Sequence, residues 1–473
     1  MTLEEIFKLE EIDKQIEALK LRPTELPETS THKAQYDPDS HDVMDTTIRL
    51  DKQVSYTYEE DGIDHTGIKI EPVNRVSLAL QKVIVDRAVA FLFGNPVKLL
   101  AEAQGDQEKV LLAIKQVLNA NKSQYFNRRL ARSVFSMTEA AECWYAVPAK
   151  GEKLYGIDAE FKLRVALFSP DNGDQLFPLF DEYGDLIAFS REFERTEMGK
   201  TTKYFETYTG PKLYRWYQSP DTVVWTVSEG FPKINPVGKI PIIYARQERT
   251  EWEDVQSMIA RLEKMISNFG DTNDYHGSPT ILVKGKVQGF ASKGEQGKIL
   301  EMDEGADATY MSWDKAPESV KLEIDTLLRM TYALTQTPDI SFESIKGLGA
   351  VSGVALKLMF IDAHLKVQNK MEVFGDYLQR RLNLLRAYIA TVKPSLKNAA
   401  EELDVTPEVT PYMIDDMAGM VQMLTTATAG SPILSTRTAI ELSGLVDDVD
   451  TEYKMVTEEQ DKKNTFDIQE PTI

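Results

Sequence analysis

Three features of the sequence predict an α+β protein. In the first half, helical periodicity gives way to short strands punctuated by Gly, Pro, Asp and Asn. In the second half, two helix-patterned segments flank a small β insertion. A single uninterrupted amphipathic stretch of about 40 residues follows them. At 473 residues the chain exceeds one ordinary core and implies two to four packed units.

Residues 1–45 open with a helix, since Leu3, Ile6, Leu9, Ile12, Ile16 and Leu19 recur at three- or four-residue spacing. A polar, Pro-containing arm follows from Arg22 to Asp42. Residues 46–250 read as a mixed α/β domain. Thr46–Leu50, Val54–Tyr58 and His65–Ile70 have strand character. A helix over Val76–Phe93 ends at Gly94, where a left-handed cap is wanted, and Pro96 stops its continuation. Glu108–Asn119 and Phe126–Tyr145 are two further helices. The β-rich stretch Lys162–Ile243 then carries strands at Arg164–Phe168, Leu186–Glu192, Lys203–Thr209 and Thr222–Val227.

After residue 250 the pattern changes. Helices are expected within 251–276 (Trp252–Phe269) and 317–336 (Ser319–Leu334). Between them, residues 277–316 carry strands at Thr280–Val287, Lys298–Met302 and Ala308–Trp313. A Gly-containing loop, 337–352, leads into the longest helix, 353–392. At 1.5 Å per residue that helix is a rod of roughly 60 Å. It is longer than a compact domain and is expected to cross between parts of an assembly. Residues 393–473 comprise a Pro-containing linker, Lys393–Pro411, a terminal helical unit and a polar tail.

Composition narrows the function. With 42% hydrophobic and 27% charged residues the chain reads as soluble and globular. Its most apolar helical stretch, Val83–Phe93, is interrupted by Asp86 and Arg87, and residues 1–20 lack the apolar centre of a signal peptide. No membrane partner is expected, and the chain should stay in the cytoplasm where it is made. A formal net charge of −21 argues against wrapping of nucleic acid, but not against DNA passing without sticking. Cys143 is the only cysteine, so an intrachain disulfide and a Cys-rich zinc site are ruled out; it reads as a buried small hydrophobe.

The chemistry-bearing motifs are weak. Gly347-Leu348-Gly349-Ala350-Val351-Ser352-Gly353 has the look of a dinucleotide-binding glycine loop. The segment before it is polar and carries Pro338, not a buried strand, and the helix after it is too long for a β-α-β unit. A flexible loop with glycine hinges fits better. Asp271, Asn273, Asp274 and His276 form a local polar cluster whose spacing matches no calcium loop, and it reads as a helix-ending turn. There is no Walker lysine loop, nucleophile elbow or His-Glu-x-x-His, and no carboxylate is singled out by an apolar setting. No catalytic, cofactor or metal residue is assigned, and no enzyme is expected.

Several phrases, in order along the chain, resemble tailed-bacteriophage portal proteins of the siphophage head-to-tail connector type. Asn74-Arg75-Val76 with Val83–Arg87 and Phe93-Gly94-Asn95-Pro96-Val97 resembles the early wing helix and its exit. Ser169-Pro170-Asp171 with Phe177–Asp181 resembles the wing β phrase, and Asn235–Ile242 the strand entering the first stem helix. Ser352–Lys357 is similar to the start of the long helix, and Ile433–Thr438 with Val446-Asp447-Asp448 and Glu452 to the crown. Met137-Thr138-Glu139 departs from the pattern, since many relatives carry a glycine there, and this puts the local turn in doubt.

The resemblance implies a portal-like fold: wing (46–250), stem helices (251–276 and 317–336), clip (277–316), tunnel loop (337–352), spanning helix (353–392) and crown (393–473). It implies a homo-oligomeric ring of twelve at a capsid vertex of the virion, assembled in the host cytoplasm. The implied partners are the large terminase subunit, major capsid and scaffold proteins, a head-completion adaptor, and double-stranded DNA in transit without sequence specificity. Under it, Ser344, Lys346, Gly347, Leu348, Gly349, Val351 and Ser352 are the candidate channel loop, with Lys346 best placed to touch phosphates. Lys284, Lys286, Lys293 and Lys298 are the candidate docking surface of the clip. An acidic bore would keep moving DNA centred. Two rivals stand beside it: a nucleotide-binding enzyme using the Gly347, Gly349 and Gly353 loop, and a capsid scaffold protein without a channel.

Overall fold

The strand Glu139–Pro148 organises the larger part of the molecule. In the computed structural model, residues 2–467 are described except 61, 150–153, 158–160, 277–280, 285–286, 291–299, 303–306, 311–315, 340–359, 413–416, 430–431 and 447. Two compact units result, Met1–Asp339 with Asp362–Tyr412, and Ile340–Ile361 with Met413–Ile473. The α+β class expected from the sequence is the one observed.

In the first unit, Glu139–Pro148 lies between Ile242–Arg246 and Phe161–Phe168 in an antiparallel sheet. Residues 139–144 are buried on both faces. Strand alternation sends Ala141 and Cys143 to one side, where they meet Phe168, Leu176, Phe189, Tyr208 and Ile242. Glu142 and Trp144 take the other side, against the long helix Ile361–Val392. The second sheet is an antiparallel meander of Gln175–Phe180, Leu186–Glu197, Lys200–Tyr208 and Lys212–Gln218, with Thr226–Val227 and Lys233–Ile234 both on the last strand. Its outer face is covered by Leu3–Phe7 and Ile12–Leu19, whose Ile6, Ile16 and Leu19 pack on Phe177, Phe205 and Trp216. Each such side chain, fully buried, contributes roughly 1.5–3 kcal/mol.

The long helix closes the core. Phe374 meets Phe93 of Leu80–Phe93 and Phe135 of Ser123–Met137 edge-on, at 5.3 and 5.8 Å between ring centres. Its buried positions run from Ala363 to Ile389, so the described helix is a core element of its own subunit. This corrects the expectation that it crosses between parts of an assembly. At 32 residues it is about 48 Å long. It ends at Val392, as periodicity predicted; a start at Gly353 falls outside the described residues.

Other expectations change for local reasons. Thr46–Leu50 is a turn and not a strand, because the Asp45 carboxylate accepts from both the backbone N–H and hydroxyl of Thr47 at 2.7 Å. The helix predicted from Val76 begins at Leu80. Gly94 is right-handed (φ −64°), so it is not a left-handed cap; a Cβ there would lie 2.7 Å from Tyr412 Cβ. Arg128 caps that helix end by donating to the carbonyls of Phe93 and Gly94, both at 2.8 Å. The helix expected over Phe126–Tyr145 stops at Met137, and Thr138 (φ 69°) turns the chain into the central strand. Thr138 thus adopts the conformation that glycine favours. The linker is ordered: Thr406–Glu408 pairs with Lys98–Leu100, and Leu403 and Val405 are buried.

Further on, Gln256–His276 and Ala316–Leu334 are helices. Between them Ile281–Lys284 pairs with Asp307–Tyr310, and Val287–Phe290 with Leu300–Met302. The second unit contains Met417–Thr428, Thr436–Ser443 and Val449–Asp467. Ser435 caps Thr436–Ser443 by accepting from Thr438 N–H, and left-handed Gly444 ends it.

Candidate functional site

Three polar clusters fix the elements that lie next in sequence to the predicted site residues. The first is the root of the helix pair. Glu263, Ser267 and Asp271 recur every four residues on one face of Gln256–His276. They accept from the backbone N–H groups of Leu78, Val76 and Asn74 at 2.7, 2.9 and 2.6 Å. Alternate N–H groups of an extended segment thus find acceptors one helical turn apart, which is why residues 76–79 are not helical. Arg49 joins in, reaching Asn268 and Asp271 at 2.8 and 2.7 Å. Asp271 and Asp274 lie within the helix and hold Arg49 and Asn74, so the polar cluster is no helix-ending turn. Among the described residues no group of His, Cys, Asp and Glu is arranged to hold a metal.

Buried His41 binds the same Glu263. Its Nδ1 is 2.6 Å from the carboxylate and its Nε2 is 2.8 Å from the Gln35 carbonyl. Both partners are acceptors, so both hydrogen bonds form only when the ring carries two protons. Burial opposes that charge, but Glu263 and the Gln35 carbonyl prevail and raise the His41 pKa above its ordinary 6.5. On the helix flank, Arg261 donates through Nε and Nη2 to Glu323 of Ala316–Leu334 at 3.0 and 2.8 Å.

The second cluster joins the segments on either side of residues 340–359. Lys366 on the long helix donates to the Thr335 carbonyl at 2.9 Å and pairs with Glu251 at 2.7 Å; Lys370 pairs with the same carboxylate. Arg87 donates to the Pro338 carbonyl at 2.5 Å and lies 5.2 Å from the Tyr332 ring centre. Burial pushes Glu251 up, yet the two ammonium groups overcome it and hold the carboxyl below its usual range. Burial also lowers Lys366, and Glu251 offsets only part of this.

The third cluster fastens the long helix to the central strand. Glu142, fully buried, accepts from Arg381 Nε at 2.9 Å and Nη2 at 2.7 Å, from Tyr377 at 2.5 Å and from Trp144 at 3.1 Å. Arg381 also donates to Asn127 at 2.7 Å. Glu139, three residues earlier and on the opposite face of the strand, accepts from Arg22 at 2.8 Å and Tyr244 at 2.5 Å. Sequence reading found no carboxylate in an apolar setting; Glu139 and Glu142, set among Ala140, Ala141, Cys143 and Trp144, are two. Both are ion-paired, so their role is positional. Burial pushes the Cys143 thiol up to about 12, which leaves it an inert small hydrophobe.

Of the predicted site residues, Lys284 is exposed at the end of Ile281–Lys284, opposite Asp307. Lys286, Lys293 and Lys298, and the loop residues Ser344, Lys346, Gly347, Leu348, Gly349, Val351 and Ser352, lie outside the described residues. So does Gly353 of the rival nucleotide loop. No helix among the described residues is long and apolar enough to cross a membrane.

A search of curated proteins finds no match to this chain. Two solved structures overlap it at 12% identity. One is the neck of a native GTA particle computed with C12 symmetry, with a TM-score of 0.39 over 77% of this chain and 88% of that one. The other is the virion of a native gene transfer agent particle, with a TM-score of 0.37 over 78% and 89%. The family described as "Phage portal protein, SPP1 Gp6-like" matches residues 22–465, from the arm through nearly all of the last helix. Over almost its whole length, then, this chain belongs to the SPP1 Gp6-like family of phage portal proteins.

Proposed function

We propose that this portal protein, a subunit of the ring at a capsid vertex, conducts double-stranded DNA during packaging and ejection. In this reading twelve copies close the ring, and it docks the large terminase subunit and a head-completion adaptor. The observation that carries the reading is the family match across residues 22–465. The family is structural, and we infer that the chain catalyses no reaction of its own. Residues 46–250 with the long helix are taken as the wing, the helices within 251–276 and 317–336 as the stem, 277–316 as the clip, 337–352 as the tunnel loop and 393–473 as linker and crown.

Two features support this division. Arg261 and Glu323 hold the stem helices side by side. Lys366 ties Thr335, before the loop, to the helix after it, so both ends of the loop start from a fixed base. A loop so rooted is suited to reach a moving polymer, with Lys346 adding one cation per subunit. The clip lysines are read as docking residues, with Lys284 exposed for that role. Negative-stain microscopy and native mass spectrometry of the purified chain test the reading. Rings of twelve with an axial hole are expected. A monomer at micromolar concentration across several salt conditions would refute it.

A further inference from the structure

The hairpin of Lys52–Glu60 and Ile63–Glu71 stands apart from both sheets of the core. Each strand has nine residues, about 30 Å at the usual rise, and pairs only with the other among the described residues. Every strand residue whose burial is described, except Gly67 and Glu71, is exposed. The root is clamped. Asp51 accepts from Val73 N–H and Arg75 at 3.2 and 2.8 Å, Arg75 donates to the Arg49 carbonyl at 2.7 Å, and Arg49 holds the first stem helix. A firmly based arm therefore projects without packing. Two-stranded hairpins are marginal in water by themselves, and long free edges are templates for another chain.

The two faces differ. Register places Tyr56 opposite Gly67 and Tyr58 opposite His65 on one face. Tyr56 lies over Gly67, where a Cβ would come 2.7 Å from the ring, and Tyr58 stacks on His65 at 5.5 Å. That face packs on itself. The other presents Ile68 and Ile70, 66% and 65% exposed, opposite Ser55 and Gln53.

Charge and size select the occupant. Copies of a chain with net charge −21 repel one another, yet residues 53–58 and 65–70 contain no Asp or Glu. A carboxylate-free stretch is where such copies can touch. Lys69 is the only Lys or Arg in those twelve positions, too little charge for a phosphate surface. A hairpin of this size approaches one side of a standard interface, about 20–30 residues. We propose that the hairpin is an intersubunit arm, whose Ile68 and Ile70 face lies on the adjacent copy of this chain and repeats head-to-tail around the ring. The proposal rests on the ring reading above.

The test uses Ile68→Glu/Ile70→Glu in the full chain, read by sedimentation and native mass spectrometry. The variant should keep the wild-type circular dichroism spectrum while the concentration for half-assembly rises about 100-fold. A second variant, with residues 52–71 replaced by a short Gly-Ser linker between Asp51 and Pro72, should stay monomeric without any added charge. Rings from either variant at the wild-type concentration overturn the proposal and leave the ring reading standing. Normal rings that fail to enter capsids assign the arm to a capsid protein, and normal rings that lose DNA capture assign it to nucleic acid; both overturn the proposal. Failure of the wild-type chain to form rings overturns the underlying reading as well.

Discussion

Arg381→Met should be among the most damaging single changes in the core. The guanidinium is 3% exposed and supplies the only positive charge hydrogen-bonded to the fully buried Glu142 among the described contacts. Removing it leaves the carboxylate with Tyr377 and Trp144 as neutral donors and leaves Asn127 without its 2.7 Å partner. Stranding one member of a buried pair costs about 3–5 kcal/mol. With a urea slope of about 3 kcal/mol/M, the unfolding midpoint falls by about 1–1.7 M. Fluorescence reads this directly, since Trp144 belongs to the cluster. Adding Glu142→Gln removes the stranded charge, keeps an acceptor oxygen for Trp144 and offers an amide N–H to the Tyr377 hydroxyl oxygen, so the double variant should recover at least about 1.5 kcal/mol. An Arg381→Met midpoint within about 0.3 M of wild type, or a double variant no more stable than the single one, would refute the argument.

Three further outcomes follow from the geometry, and a fourth from the proposed function. Because the His41 pKa is raised, its contribution is complete below the unfolded value of 6.5 and is lost as pH rises through the folded value. Hydrogen exchange of residues 29–42 should therefore quicken as pH rises above 6.5 once the intrinsic rate is divided out, and a flat profile contradicts the two-acceptor geometry. Thr138→Gly should stabilise by about 0.5–1 kcal/mol, because a left-handed β-branched residue costs about 1–2 kcal/mol and glycine's unfolded-state entropy returns only part. A lower urea midpoint for that variant counts against strain at Thr138. Gly94→Ala should cost about 2 kcal/mol by driving a Cβ into the Ala90 carbonyl oxygen and Tyr412, and an unchanged midpoint would refute the clash. Lys346→Glu should leave rings intact and reduce packaged DNA, most clearly at low salt; full-length packaging at normal yield removes any essential role for that charge.

What was legible in the sequence was what local periodicity encodes. The helix Ala316–Leu334 and the C-terminal end of the long helix fell where apolar spacing put them, because an amphipathic helix carries its own register. The central strand was misread as helix because both of its faces are buried: Glu-Ala-Ala-Glu-Cys-Trp shows no alternation and suits a helix equally well. Residues 76–79 were misread because their acceptors, Glu263 and Ser267, lie 185 and 191 residues away. Gly94 was placed correctly as a helix end but for the wrong reason, since Tyr412 is distant in sequence. The ion-paired cluster of Glu142 and Arg381, 239 residues apart, carried no local signal beyond a carboxylate in an apolar run.

The placement of these clusters bears on how a portal subunit works. A buried ion pair gives little net stability over an apolar pair, but it penalises every arrangement that separates the partners. Here the pairs join elements that lie far apart in the chain. Arg381 and Glu142 set the position of the long helix on the sheet. Lys366 and Lys370, on that same helix, meet Glu251 just before the first stem helix. Lys366 and Arg87 hold the backbone carbonyls of Thr335 and Pro338 after the second. The segments before and after residues 340–359 are thus fastened to the same long helix. Slippage of the long helix by one turn would break both carboxylate clusters at once. The subunit is built to resist that displacement.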